Sequence, residues 1–261
     1  MSNQFERTLL QVASASVLAG LPQHLRDIPA QIEAATGIAV QVRPYSNEAP
    51  TSRSMGIPTM PAMLDINANT QSVTIWCAPL VLTSLLLGHQ LIALRRYVLE
   101  SVPRFVPARD ADRETKSDLL SMENELELLF LIPEETRTFP DAKAFWVGEF
   151  KKMIPLALDR KSVFYLAMMW AQVRTSLPDQ VELAAMIEGH LEAFGEASVT
   201  MADDIRMLYK LALPDKASLL ADMTTAMSPE FLSQLSTASF IVKDGALRSQ
   251  PFTLSGTPEL A

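Results

Sequence analysis

The stretch from Ala78 to Leu94 constrains this chain more than any other. It is about 17 residues long, almost all apolar, and carries His89 and Gln90 near its middle. A helix hydrophobic on every side must be covered by protein or by lipid. Its length is at the lower limit for crossing a bilayer, and an imidazole and an amide at mid-depth would be costly there. The segment therefore predicts a helix buried in a protein core, with no membrane span, and the rest of the chain has to supply the cover.

Composition says that it can. The 261 residues suffice for one large domain or two of ordinary size, and 48% hydrophobic with 20% charged residues is the balance of a globular chain. Glycine is scarce at 9 residues, while leucine, alanine and methionine are plentiful, which favours helices. A net charge of −8 repels phosphate backbones and speaks against nucleic acid as a partner. The basic pairs Arg95-Arg96 and Lys151-Lys152 read as solvated helix faces. Cys77 is the single cysteine, so no intramolecular disulfide can form, and a reducing, cytoplasmic setting is the expectation. Near the start, Ala13-Ser14-Ala15 superficially resembles a leader cleavage site. Glu6 beside Arg7, and Gln11 within the apolar run, favour an amphipathic first helix instead.

Two helices are expected over residues 5–19 and 22–36, broken at Gly20 and Pro22, with Gly37 as a left-handed C-cap. Residues 38–43 read as a strand. Residues 63–66 and 72–76 read as two more, antiparallel around the polar turn 67–71, the three together forming a small antiparallel or mixed sheet. Pro79 is expected to open the apolar helix, which runs to about Glu100. A charged connection over 101–116 leads to a helix from Ser117, taken as its N-cap, to Leu131, and everything from Asp141 to about Met227 has a helical pattern. Within it, Leu177-Pro178-Asp179 recurs 36 residues later as Leu213-Pro214-Asp215. That spacing fits either a helical-hairpin repeat or a convenient helix stop used twice. Asp244-Gly245 between apolar runs predicts a hairpin over 239–249. The expected class is α+β and mainly helical, divided into a small domain over 1–135, antiparallel helices over 136–230, and a hairpin with a frayed tail over 231–261.

The order helix, three strands, helix, then a carboxylate-rich helix puts Gly88-His89-Gln90-Leu91-Ile92-Ala93 in a suggestive place. This segment resembles the zinc-binding helix of the zincin metallopeptidases, whose His-Glu-x-x-His places two zinc ligands one turn apart with a glutamate that activates the metal-bound water. In the gluzincin branch a glutamate from a following helix is the third ligand. Here His89 matches the first histidine, Gln90 stands at the general base, and Ala93 stands at the second histidine. Glu123 is the candidate third position, because it borders the apolar face marked by Leu119 and Leu126. The resemblance covers about residues 38–135 and implies a degenerate site. Glutamine is not basic at neutral pH, and alanine offers no ligand.

Other routes to catalysis are weaker. Cys77 and His89 lack a setting that would lower the thiol pKa, His24 and His190 read as surface or packing residues, and no glycine-rich phosphate loop occurs. Glu123, Glu125, Glu127, Glu134 and Glu135 read as a solvated acidic face. The expectation is thus a non-catalytic, regulatory or interaction protein with no catalytic residue, no cofactor and a protein partner. The helical half is expected to carry the partner surface, at Trp146, Met169 and Met207, because it holds more large apolar side chains than two helical layers would hide. The alternative is a divergent hydrolase centred on His89 and Glu123. A third reading, a helical-repeat adaptor without zincin ancestry, differs in giving the His89 and Glu123 helices no reason to cross.

Overall fold

The computed structural model describes residues 4–49, 61–212 and 215–254. The class is α+β, mainly helical, with one small mixed sheet and a second sheet near the C-terminus. The chain forms two compact units: Met1–Arg104 with Thr237–Phe252, and Phe105–Ser236 with Thr253–Ala261. This division differs from the three consecutive segments read from sequence, since the C-terminal hairpin joins the first unit and the helix after residue 112 joins the second.

The first unit opens with four short helices where two were expected: α1 (Gln4–Val12), α2 (Ala15–Ala19), α3 (Gln23–Arg26) and α4 (Ile28–Thr36). Pro29 explains the second break, because a proline inside a continuous helix has no N–H to donate and clashes with the carbonyl four residues back. It is accommodated instead in the first turn of α4. Gly37 ends α4 as expected, at φ 70° with its N–H bonded to the Glu33 carbonyl at 2.8 Å.

Strands β1 (Val40–Pro44), β2 (Ala62–Asn67) and β3 (Ser72–Cys77) form a sheet of order β1-β3-β2. β1 runs parallel to β3 and β2 antiparallel to it, so the sheet is mixed. Val73 to Cys77 are all buried, as a central strand covered on both faces requires. The β2–β3 turn is closed by Asn67, whose Oδ1 accepts from the N–H groups of Asn69 and Thr70 at 3.0 and 3.1 Å.

Beyond β3 the apolar segment begins later than Pro79 suggested. Pro79–Val81 is a single 3₁₀ turn, and Thr83 is the true cap, accepting from the Leu86 N–H at 3.2 Å. Helix α5 spans Ser84–Leu94 and continues as a π-turn over Arg95–Leu99. Its residues Leu85, Leu87, Gly88 and Gln90 to Leu94 are buried, which is the all-round cover its composition demanded. Gly20 permits the close approach of α2, because a Cβ there would collide with the Ser84 hydroxyl.

The same unit holds most of the C-terminal hairpin, β5 (Leu235–Lys243) and β6 (Ala246–Pro251). Asp244 and Gly245 both have positive φ, 55° and 71°, as the twist of a two-residue hairpin turn requires. Gln71 fastens it: its Nε2 donates to the Leu247 carbonyl at 2.7 Å and its Oε1 accepts from the Leu247 N–H at 3.0 Å. The second sheet has the order β4-β5-β6, with β4 (Arg104–Pro107) inside the stretch read as a mere connection.

The second unit comprises α6 (Arg113–Thr138), α7 (Ala142–Asp159), α8 (Val163–Ser176), α9 (Val181–Phe194), α10 (Glu196–Ala212), α11 (Lys216–Ala226) and α12 (Pro229–Leu232). Asp112, not Ser117, caps α6, accepting from the Thr115 N–H at 2.8 Å, and the helix runs past Leu131 to Thr138 with Pro133 inside it. Helix α8 is central: Leu166 through Val173 are buried without interruption, and α6, α7, α9 and α10 all pack against it. The first Leu-Pro-Asp copy forms the turn between α8 and α9, while Leu213 and Pro214 of the second lie outside the described residues. Residues 255–261 of the tail lie outside them too. Among the described residues no helix is long and apolar enough to cross a membrane.

Candidate functional site

Residues 88–93, which carry the resemblance read from sequence, lie on α5 in the first unit. His89 is half-buried, whereas Gln90 and Ala93 are buried. The Gln90 amide donates from Nε2 to the carbonyl of Ala62, where β2 begins, at 3.3 Å. Residue 90, which the resemblance would align with a general base, thus carries a neutral side chain that ties the helix to the sheet, and residue 93, which it would align with the second histidine, carries a methyl group in the core.

Glu123 does point inward, toward a partner the sequence reading missed. Glu123 and Glu127 lie one turn apart on α6, and Lys216, the first residue of α11, donates from Nζ to Glu123 Oε1 and to Glu127 Oε2, the latter at 2.6 Å. The other Glu123 oxygen accepts from the Phe105 N–H at 2.9 Å. All three side chains are out of water, with Lys216 2%, Glu123 4% and Glu127 3% exposed. Burial raises the Glu123 pKa above the ordinary carboxylate range, and the neighbouring Glu127 adds to the rise. The Lys216 ammonium and the Phe105 N–H oppose it. Glu123, the carboxylate read as a third zinc ligand, is engaged by a lysine. Among the described residues no group of three or more His, Cys, Asp or Glu side chains is placed to hold a metal.

The supposed solvated acidic face is largely inside the protein. Besides Glu123 and Glu127, Glu135 is fully buried and accepts from the Trp146 indole N–H at 2.6 Å. Glu125 is partly buried, and lack of solvation pushes its carboxyl up to about 7, with a hydrogen bond from Gln172 opposing the rise. The local signal was Glu123 and Glu127 at i, i+4 beside an apolar face. The deciding partner, Lys216, lies 93 residues beyond Glu123.

The remaining candidates divide plainly. Trp146 and Met169 belong to the core of the helical unit at 7% and 2% exposure, and only Met207, at 45%, faces solvent. The partner surface read at all three is corrected accordingly. Four helices surround α8, so this unit hides more apolar surface than two layers would. Cys77 is buried, and burial pushes its thiol up to about 11, which is a poor setting for a nucleophile. His24 is exposed and His190 half-buried.

Compared with protein-family models, curated proteins and solved structures, the chain finds no match in any of the three. The metallopeptidase resemblance therefore stands on residues 88–93 and the order of elements around them.

Proposed function

We propose that this chain is a non-catalytic, regulatory or interaction protein built on a degenerate metallopeptidase-like frame. The observation that carries the reading is the seat of Gln90. Its amide neither accepts a proton at neutral pH nor faces outward, and donates to the Ala62 carbonyl instead. The burial of Ala93 and the capture of Glu123 by Lys216 support it, because each takes a group that metal chemistry would need and uses it for packing. They also weigh against a hydrolase centred on His89 and Glu123. The partner in this reading is a protein. Its surface is sought among exposed apolar side chains of the helical unit, Met207 with Val181, Met186 and Met201, rather than at Trp146 or Met169.

Zinc content tests the proposal. The dialysed protein is expected to hold no stoichiometric zinc by elemental analysis, and about one zinc per chain would overturn the non-catalytic reading. The variant Gln90→Glu with Ala93→His places two imidazoles one helical turn apart, and is expected to gain zinc affinity over the native chain. A folded double variant with no gain would remove the metallopeptidase frame from the proposal and leave the interaction role to stand alone.

A further inference from the structure

Between α6 and α8 a carboxyl group and an amide meet with one hydrogen bond too few. Gln172 is wholly buried. Its Nε2 donates to the Glu125 backbone carbonyl at 2.9 Å and to Glu125 Oε2 at 3.2 Å, while its Oε1 is shut off from water with no donor. Reversing the amide would not help, since it would set Oε1 against two oxygens. Among the described residues, Glu125 for its part receives its only side-chain hydrogen bond from this amide, and no Lys, Arg or His forms an ion pair with it. An ionised carboxylate so placed is a poorly compensated charge beside an unsatisfied acceptor.

One proton resolves both faults. A carboxylic acid and a primary amide can join through two parallel hydrogen bonds, amide N–H to acid carbonyl and acid O–H to amide carbonyl. The first of these is in place, and the orphaned Oε1 is the acceptor the second requires. We propose that Glu125 and Gln172 form a carboxylic acid–amide pair, a proton-dependent clasp that joins α6 to α8 and loosens when the proton leaves to solvent.

The surroundings agree. Tyr165 on α8 is the titratable group facing Glu125. Its hydroxyl is hydrogen-bonded to Ser121 on α6, and Asp118 on α6 and Arg160 at the end of α7 act on it with opposite sign. The tyrosine pKa is itself raised, chiefly by burial, so it stays neutral across the range in which the clasp works and leaves the Glu125 proton in place. Burial sets the midpoint near neutrality, at about 7. Glu123, two positions away, turns to Lys216 and takes no part.

The direct test follows the Glu125 side-chain carboxyl carbon by NMR as pH is varied in the full-length protein. A midpoint near neutrality is expected, and one in the ordinary carboxylate range overturns the clasp. Denaturation midpoints of the native chain and of Glu125→Gln supply the second readout. Glutamine keeps a donor for the Gln172 Oε1 at every pH, so the variant should match the native chain at pH 5 and exceed it at pH 8. A difference that does not change with pH overturns the proposal. Gln172→Leu separates the clasp from burial alone. The Gln172 N–H by itself favours the ionised carboxylate, whereas the acid O–H to Oε1 favours the protonated form and, in the clasp, outweighs it. Losing the amide should therefore lower the NMR midpoint by about half a pH unit or more; an unmoved or raised midpoint would leave only desolvation and the N–H bond and sink the pairing. If Gln172→Leu fails to fold, Gln172→Met repeats the separation with a side chain of similar length, and a native midpoint in the ordinary carboxylate range overturns the clasp in any case.

Discussion

Replacing Lys216 with methionine should be among the most damaging single substitutions in the helical unit. The perturbation removes one positive charge and almost no volume, so the core stays filled while Glu123 and Glu127 lose the ammonium that both contact. Breaking a buried ion pair by deleting one partner costs about 3–5 kcal/mol. Whole folds have a margin of about 5–15 kcal/mol, so the variant would stand near the edge of stability. At a urea slope of about 2 kcal/mol per molar, the midpoint should fall by about 2 M, followed by circular dichroism.

The pH dependence gives the experiment its discrimination. In the variant both carboxyl groups stay buried but lose the Lys216 ammonium, which raises their folded pKa values. The native state then holds protons that the unfolded chain releases. Such groups contribute most below the unfolded pKa, and the contribution is lost as pH rises through the folded value. The deficit of Lys216→Met should accordingly be smaller at pH 5 than at pH 8. Adding Glu123→Gln and Glu127→Gln should recover part of the loss and flatten its pH dependence, since the charges are then removed together. A midpoint drop under about 0.5 M, unchanged between pH 5 and pH 8, would mean that the ammonium is solvated, and the reasoning from burial would fail.

The remaining predictions concern packing. Trp146→Ala and Met169→Ala should each lower stability by about 2–5 kcal/mol in thermal or urea melts, whereas Met207→Ala should stay within about 0.5 kcal/mol; a loss at Met207 as large as at Trp146 would contradict its exposure. Gly20→Ala should cost about 1–3 kcal/mol by forcing the Ser84 side chain aside, and Ser84→Ala beside it should restore only part of that, since the Ser84 Cβ stays close and the Ser84 bond to the Val17 carbonyl is lost.

What was legible in the sequence was local. Gly37, the Asp244-Gly245 turn and the strand pair around Asn67 each announce themselves within a few residues, because a left-handed backbone position or a side-chain-closed turn has few residues to choose from. The N-cap of α6 was misplaced because Ser117 and Asp112 are both competent caps, and the choice between them depends on where packing lets the helix begin. Strand β4 was missed because Arg104 to Pro107 is short and proline-bounded, and becomes a strand only through β5, more than a hundred residues away. The buried glutamates failed for a related reason. An i, i+4 carboxylate pair looks the same on a wet face as beside a buried lysine, and Lys216 is too distant to be read with it.

The α5 positions show why a motif-like string does not by itself imply a site. A catalytic glutamate at position 90 would have to face an open space in which water can be held and deprotonated. The side chain found there faces the Ala62 carbonyl, and its amide suits that seat because it carries a donor. A carboxylate in the same seat would set acceptor against acceptor, at a cost of about 1–3 kcal/mol. The present attachment of α5 to β2 and a working general base at residue 90 therefore exclude one another in this geometry. Ala93 is buried as well, so the imidazole of the double variant is seated by a shift of its neighbours. Both side chains serve the cohesion of the first unit, Gln90 through its bond to β2 and Ala93 through its burial.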